Sequence, residues 1–403
     1  MAVPFFRPEL HDAEVNEVVE TLRSGWLTTG PRTRRFEEAF AEAVGARHAV
    51  ALNSCTAGLH LATVALGLRR GQGVLVPTMT FAATAEVVLY AGAVPILVDC
   101  DPETLSLDPS IIPSTLEALE TGQLPVPADT EVVGVMPVHV GGLMLDIAGL
   151  EAETAARGWW TVEDAAHAFP AAWRAGAESP WRRCGAGTAD VSCYSFYANK
   201  TITTGEGGMV VSDNAELAAE IRSLSLHGLS NDAWKRYTSK GSWDYRIVAP
   251  GYKYNLTDIA AALGLRQLER AEAMRLERQA IAARFNDAFG GVDELELPPD
   301  STDRVHSWHL YQLKLRLDRL NIDRDAFLVE LRERGVGYSV HWRPLHLHPL
   351  YEGLGWRAEH CPRASEVWRR TVSLPIFPGM RDGEIREVID AVVELCRRHR
   401  RSA

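Results

Sequence analysis

The chain has 403 residues, 46% hydrophobic and 24% charged, with a formal net charge of −11. That is length enough for two or three hydrophobic cores of ordinary globular composition, and the acidic balance excludes a nonspecific nucleic-acid binder. No apolar run approaches the ~20 residues needed to cross a bilayer. The start, Met1-Ala2-Val3-Pro4-Phe5-Phe6-Arg7, has no basic segment followed by a long apolar core, so no signal peptide is expected. Six cysteines without CxxC spacing read as reduced thiols, which points to the cytoplasm. The Arg-rich stretch at 397–401 reads as a solvated helix end.

Residues 11–22 carry helical spacing, with Val15, Val18, Val19 and Leu22 as the apolar face, and stop at Ser24-Gly25, a C-cap signal. A loop over 26–31 leads to a second amphipathic helix at 34–44. An α/β rhythm follows. Apolar runs at 49–52, 74–76, 95–98, 132–138, 159–162, 191–196 and 209–211 predict seven buried strands. Helical stretches at 57–68, 82–90, 112–120, 147–157 and 215–224 separate or follow them. Such alternation gives a mostly parallel sheet with helices on both faces, and the close spacing of the last two strands implies one antiparallel partner. The polar stretch 227–250 reads as an active-site or interface loop. One long helix over 257–285 is expected to bridge a large domain (1–256) to a smaller α+β domain (286–403), with strands at 308–315 and 337–341 and helices at 324–334 and 384–397.

In an open α/β sheet, ligands bind beyond the carboxyl ends of the strands, and four features fall there. Asn53-Ser54-Cys55-Thr56-Ala57-Gly58 opens a helix after the first strand, where small residues and free amides suit a phosphate. Phe81 follows the second strand and could stack on a flat ring, although ordinary core packing is the default for a phenylalanine. Asp164, in Glu163-Asp164-Ala165-Ala166-His167, ends another strand, with His167 three residues on. Lys200 lies in a polar loop between two apolar strands, with Ser195 five residues upstream and Gly207-Gly208 leading into the next strand. A lysine held inside a domain needs a chemical reason. A Schiff base with the aldehyde cofactor pyridoxal phosphate supplies one, and an aspartate at a buried strand end would pair with the pyridine nitrogen and keep the ring electron-accepting. No metal site is expected.

The strings Gly25-Trp26-Leu27-Thr28-Thr29-Gly30-Pro31, Glu163 to His167, Ser195 to Gly208, and Gly251-Tyr252-Lys253-Tyr254-Asn255-Leu256-Thr257-Asp258 resemble the nucleotide-sugar aminotransferases of the DegT/DnrJ/StrS family, fold-type I pyridoxal-phosphate enzymes. The resemblance runs from Phe5 to Pro378. It implies a large cofactor-binding domain with a mostly parallel seven-stranded sheet and a homodimer with shared active sites. It assigns Lys200 as the Schiff-base lysine, Asp164 as the pyridinium partner, Phe81 as the stacking ring and His167 as its neighbour. Thr56, Ala57 and Ser195 would hold the phosphate, with Asn255 reaching it from the other subunit.

Lys253 to Asp258 is similar to members that make UDP-4-amino-4-deoxy-L-arabinose, and Asn199 to Gly208 to those that make GDP-perosamine. Both imply amination at C4 of a nucleotide-linked 4-keto sugar, with L-glutamate as donor and pyridoxamine phosphate as the intermediate cofactor form. Gly141-Gly142 and Trp342-Arg343 depart from the commoner family pattern. Thr28, Thr29, Arg246, His341 and His346 are the substrate-binding candidates, and Arg32 and Arg343 could also meet carboxylate or diphosphate. Three rivals are C3 amination, a C3 dehydratase and a noncatalytic relative. The dehydratases carry histidine in place of the lysine, which Lys200 disfavours, and intact Lys200 and Asp164 disfavour a noncatalytic protein.

Overall fold

A computed structural model describes residues 2–230, 246–299 and 301–401. The first part of the chain runs α1 (Asp12–Ser24), α2 (Pro31–Val44), β1 (His48–Leu52), α3 (Cys55–Ala65), β2 (Gly73–Pro77), α4 (Ala83–Tyr90), β3 (Val94–Val98), α5 (Ile112–Glu120), β4 (Val132–Val135), α6 (Ile147–Ala155) and β5 (Trp160–Asp164). Then come the short β6 (Ala172–Trp173) and β7 (Arg182–Arg183), followed by β8 (Val191–Ser195), β9 (Gly208–Ser212) and α7 (Ala215–Leu224). Seven of these strands form one sheet in the order β1-β9-β8-β5-β4-β2-β3. It is parallel except for β9, which runs antiparallel to both β1 and β8. The central strands are buried on both faces between helices, which is why they read as continuous apolar runs rather than alternating ones.

Two expectations fail in this half. The apolar stripe assigned to the first helix does not face the core: α1 buries Glu14, Glu17 and Thr21 and leaves Val15 and Leu22 exposed. The cause is electrostatic. Arg32 and Arg266 grip Glu17 (3.1 and 2.7 Å), and Arg270 and Gln267 grip Glu14 (3.0 and 2.9 Å). Burial pushes both carboxyls up, but these partners outweigh it and hold them below the usual range. The second failure is the single bridging helix. It is two helices, α8 (Asp258–Glu269) and α9 (Ala271–Phe289), separated at Arg270.

Downstream lie β10 (Leu295–Glu296), β11 (Arg304–Val305), β12 (Tyr311–Leu315), α10 (Arg324–Glu333), α11 (Pro349–Gly353), α12 (Pro362–Trp368), β13 (Thr371–Leu374) and α13 (Asp382–His399). A sheet β10-β12-β13 packs under α9, α10 and α13, with Phe285, Tyr311, Phe327, Leu374 and Val392 in a second hydrophobic cluster. The strand expected at 337–341 is reduced to a bridge between Ser339 and Ser373, and β13 is the strand that pairs with the central β12. The strand start expected at Trp308 shifts to Tyr311, because Trp308 takes a left-handed backbone (φ 51°) that no strand continues. Of the loop expected at 227–250, positions 231–245 lie outside the described residues.

The strings at 25–31 and 251–258 form one unit. Gly30 opens α2 without a side chain to cap it, and the buried Asp258 carboxylate does so from α8, accepting from the amides of Gly30, Arg32 and Thr33 (2.8, 3.1 and 2.9 Å) and from the Thr33 hydroxyl (2.7 Å).

Candidate active site

The carboxyl edge of the sheet gathers the expected residues from separate strands. Asp164 ends β5 and is buried. One of its oxygens accepts from the Thr84 hydroxyl at 2.8 Å, and the other from the Ala166 amide at 3.1 Å. Thr84 lies 2.7 Å from the Thr80 hydroxyl. Since Thr84 spends its proton on the carboxylate, Thr80 is the donor between them, and a directed hydroxyl chain Thr80 to Thr84 to Asp164 fixes the carboxylate. Burial pushes the Asp164 carboxyl up, against the opposing pull of Thr84, the Ala166 amide and the Lys200 charge. On the other face of β5, the buried Glu163 accepts from Ser192 and Thr188 (2.5 and 2.8 Å) and lies 3.4 Å from His139 Nε2.

Lys200 follows β8 on a turn closed by its amide to the Tyr197 carbonyl (3.0 Å). Burial drives its ammonium down to about 8, while the nearby Asp164 and Cys55 act in the opposite direction. Such an amine is still mainly protonated near physiological pH, but its neutral, nucleophilic fraction is far larger than that of an ordinary lysine. Gly208 lets β9 pass close to the opening of α3, because a Cβ there would stand 2.4 Å from the Ser54 carbonyl carbon. This close approach brings the Lys200 strand pair against the candidate phosphate turn. In that turn, Ser54 caps α3 by accepting from the Ala57 amide at 3.0 Å, so that amide is already engaged. The Thr56 hydroxyl has no hydrogen bond among the described residues. Ser195 Oγ accepts from the Tyr197 amide (3.3 Å).

Phe81 is not core. It is 63% exposed at the end of β2, and a ring left in the open there needs a ligand or a partner surface to cover it. His167 is buried, with its Nδ1 unpartnered, and stacks on Trp342 (centroids 5.0 Å apart, planes at 21°). Burial, then the charges of Lys200 and His341, hold His167 neutral. The glycines at 141 and 142, a departure from the family pattern, have a local reason. Gly142 sits at φ 100°, and a Cβ there would stand 1.8 Å from Ser307 Oγ and 2.7 Å from the His167 carbonyl. Ser307 Oγ donates to that carbonyl at 2.6 Å, anchoring the His167 segment.

These residues fit pyridoxal phosphate. The site offers an amine of lowered pKa, a fixed carboxylate, an exposed aromatic, an orphaned imidazole nitrogen and a free hydroxyl at a helix opening.

The substrate candidates divide. His341 points into this region: its Nδ1 lies 2.8 Å from Ser373 Oγ, it stacks on Phe5 (5.7 Å), and burial with the Lys200 charge lowers it to about 3. His346 does not, because it is fully buried with both ring nitrogens used, 2.7 Å from Thr78 and 2.7 Å from Ser365. It is a packing histidine and cannot contact a sugar. Thr29 accepts from Asn255 Nδ2 at 2.6 Å and donates to the Leu256 carbonyl, while Thr28 has an exposed side chain. The other end of the Asn255 amide accepts from Lys253, so within one chain this residue belongs to the 25–31/251–258 unit. Arg246 is exposed, Arg32 is paired to Glu17, and Arg343 lies over Trp368 at 5.7 Å.

Three residues escaped sequence reasoning. Thr84 lies one helical turn beyond Phe81, and its pairing to Asp164 spans 80 positions. His309 stands 4.2 Å from His167, with both ring nitrogens buried and unpartnered. Arg278 sits on the buried face of α9 with Met274, Ile281 and Phe285. A charged residue on an apolar stripe was the available signal for Arg278.

Comparison with known proteins gives the family of the chain. Residues 8–393 match the DegT/DnrJ/EryC1/StrS aminotransferase family. The chain is 42% identical over 400 residues to the uncharacterized protein MJ1066 of Methanocaldococcus jannaschii, covering 99% of this chain and 98% of that one. It is 40% identical over 395 residues to the spore coat polysaccharide biosynthesis protein SpsC of Bacillus subtilis (98% and 97% covered). Its fold superposes on Spr1654 of Streptococcus pneumoniae, a candidate sugar aminotransferase solved in a PLP form, with a TM-score of 0.86, 30% identity and 99% of each chain covered. The expected fold class holds as well, an α/β fold with a large, mostly parallel seven-stranded sheet. The chain belongs to the DegT/DnrJ/EryC1/StrS aminotransferase family.

Proposed function

We propose that the protein transfers the amino group of L-glutamate to C4 of a nucleotide-linked 4-keto sugar, giving a 4-amino-4-deoxy (or 4,6-dideoxy) sugar nucleotide and 2-oxoglutarate, with pyridoxal phosphate as cofactor and pyridoxamine phosphate as its alternate form. The observation that carries this reading is the gathering of Lys200, Asp164, Phe81, His167 and Thr56 at one sheet edge. When bound, the cofactor supplies an electron sink for the carbon that gains or loses nitrogen. Lys200 holds the cofactor covalently and, once released, moves the proton at the reacting carbon with an amine poised near neutral pH. Asp164, fixed by Thr84 and the Ala166 amide, would pair as a carboxylate with the ring nitrogen and keep the ring electron-accepting. Phe81 would stack on the cofactor ring and His167, stacked on Trp342, would stand beside it, while the Thr56 and Ser195 hydroxyls would hold the phosphate; the Ala57 amide, committed to Ser54, could join them only by giving up that cap.

Amination at C4 rests on the resemblance of 199–208 and 253–258 to C4 aminases, and the likeness to a polysaccharide biosynthesis protein supports a carbohydrate product. A homodimer with shared sites is part of the reading. Leu27, Phe81, Tyr197, Ile247 and Val248 are exposed apolar residues that a second copy would cover, and Asn255 would then reach the partner's phosphate. Six buried free cysteines suit a reducing cytoplasm. The large cofactor domain (1–256) and smaller C-terminal domain (286–403) are taken as the working units, joined by 257–285.

The test is a panel of UDP-, GDP- and dTDP-linked keto sugars incubated with holoenzyme and ¹⁵N-labelled L-glutamate, with products read by mass spectrometry. A ¹⁵N amine at C4 of one sugar is expected. Label at C3 alone rejects the ring position, and no labelled product from any member rejects the reading. Asn255→Ala should weaken cofactor retention, and unchanged retention removes the shared-site role.

A further inference from the structure

The extended segment around Lys253 is pinned along its length. The Tyr252 and Tyr254 amides donate to the Leu224 and Ser225 carbonyls (2.7 and 2.8 Å), and the Tyr254 carbonyl accepts from the Asn53 amide at 2.7 Å. The rings of Tyr252 and Tyr254 stack at 5.0 Å, and both meet His60 of α3. Side chains alternate along extended backbone, so Lys253 and Asn255 share the opposite side. A bridge from Asn255 to Leu52 puts this pair at the carboxyl end of β1, where the chain turns into α3. Their hydrogen bonds allow one polarity. An ammonium only donates, so Asn255 Oδ1 accepts from Lys253 Nζ. The Thr29 hydroxyl gives its proton to the Leu256 carbonyl and therefore accepts from Asn255 Nδ2 at 2.6 Å. Turning the amide over would set its NH2 against the ammonium. What the pair has left to offer is N–H: the rest of the ammonium and the second Nδ2 proton. Lys253 is exposed and has no carboxylate partner among the described residues.

We propose that Lys253 and Asn255 act as one unit that receives a phosphoryl oxyanion, with Lys253 orienting the amide and supplying the charge. This rests on the shared-site reading, which gives Asn255 the cofactor phosphate and leaves Lys253 without a role. A neutral amide alone brings one hydrogen bond to an oxyanion, whereas an ammonium beside it adds a charge-assisted one of roughly twice the strength. The phosphoryl group can come from the cofactor or from the diphosphate of a sugar nucleotide, since the same donors serve both.

The experiment titrates the full-length apoprotein with pyridoxal phosphate and with pyridoxal, read by absorbance, and the holoenzyme with UDP, GDP and dTDP by calorimetry. Pyridoxal lacks the phosphate and so reads the Lys200 amine alone. Lys253→Met should weaken pyridoxal phosphate at least fivefold and leave pyridoxal within twofold of wild type. Lys253→Arg should recover most of that loss, and added salt should narrow the gap between wild type and Lys253→Met, because the lost contribution is a charge. Lys253→Gln covers a Met variant that does not fold. A loss confined to the nucleotides assigns the pair to the substrate diphosphate instead. Pyridoxal phosphate and every nucleotide that wild type binds remaining unchanged overturns the proposal. So does an equal loss towards pyridoxal phosphate and pyridoxal, which marks a defect of the fold. Asn255→Ala that binds pyridoxal phosphate like wild type fails the shared-site reading and the pairing with it. A weakened Asn255→Ala beside an unchanged Lys253→Met fails this proposal alone.

Discussion

Asp164 and Arg278 are both buried charges near Lys200, and the fold houses them in opposite ways. Asp164 sits at a strand end where each oxygen has a donor supplied by the large sheet's own connections, Thr84 from α4 and the Ala166 amide two residues on. Arg278 sits where α9 meets the segments around Trp308 and Ile376, held only by carbonyls, with a nitrogen left over. The first arrangement is complete in its protein partners and presents a fixed charge. The second is incomplete, with its Nε left without a partner among the described residues. A satisfied charge is fixed in place by its own protein partners, whereas an unsatisfied buried one calls for a further partner, a water included.

The variants that separate these two regions differ in size of effect. Lys200→Ala removes the amine common to both and should lower transamination at least ~10³-fold, with loss of covalently held cofactor seen by absorbance. Asp164→Asn keeps the shape and removes the charge; a loss of about 10²-fold in turnover is expected, read by steady-state kinetics. Thr84→Val strips one donor from Asp164, an interaction of about 1.5–3 kcal/mol for a hydrogen bond to a charged group. It leaves the carboxyl still more prone to hold a proton, so cofactor affinity should drop about tenfold, most at low pH. Cofactor titration of the variant against wild type across pH checks this.

Smaller and purely conditional is the pH response of the apoprotein. Lys200 titrates at about 8 instead of its ordinary 10.5, so the folded chain gives up that proton before the unfolded chain does. Below about 8 both states are protonated and the desolvation cost is fully present. Between about 8 and 10.5 the unfolded state binds more protons, and this group's contribution makes stability rise with pH. The rate at which added pyridoxal phosphate is captured should therefore level off above about pH 8, and a rate still climbing towards pH 10 would show an unperturbed lysine. The smallest catalytic effect belongs to His346→Gln, which unpairs Thr78 and Ser365. The melting temperature should fall, by roughly 1–3 kcal/mol in stability, with KM for both substrates unchanged.

What sequence could disclose follows the same division. Asp164, Lys200 and the α3 turn were legible because each lies at the end of an apolar run, and a strand end is a local feature. The seven-stranded sheet was legible for the same reason. Features set by pairing across long separations were not. Helix α1 looked conventionally amphipathic until Arg266 and Arg270, some 250 positions away, turned its acidic face inward. Strand β13 is four residues long and is defined by its register with β12, so its own pattern was too short to read. His341 and His346 lie five residues apart, each between apolar neighbours, and the hydroxyls of Thr78 and Ser365, distant in sequence, mark His346 as the packing one. Arg278 lost its identity among the many arginines of α9 and its surroundings, because its unpaired state depends on three carbonyls from the C-terminal half.

The most direct test of the central claim treats holoenzyme with borohydride, digests it and maps the cofactor-modified peptide. The account predicts modification at Lys200 alone, within the peptide that spans Ser195 to Gly208, and none in Lys200→Ala. Modification at another lysine, or none in a protein that has been saturated with pyridoxal phosphate, would contradict it.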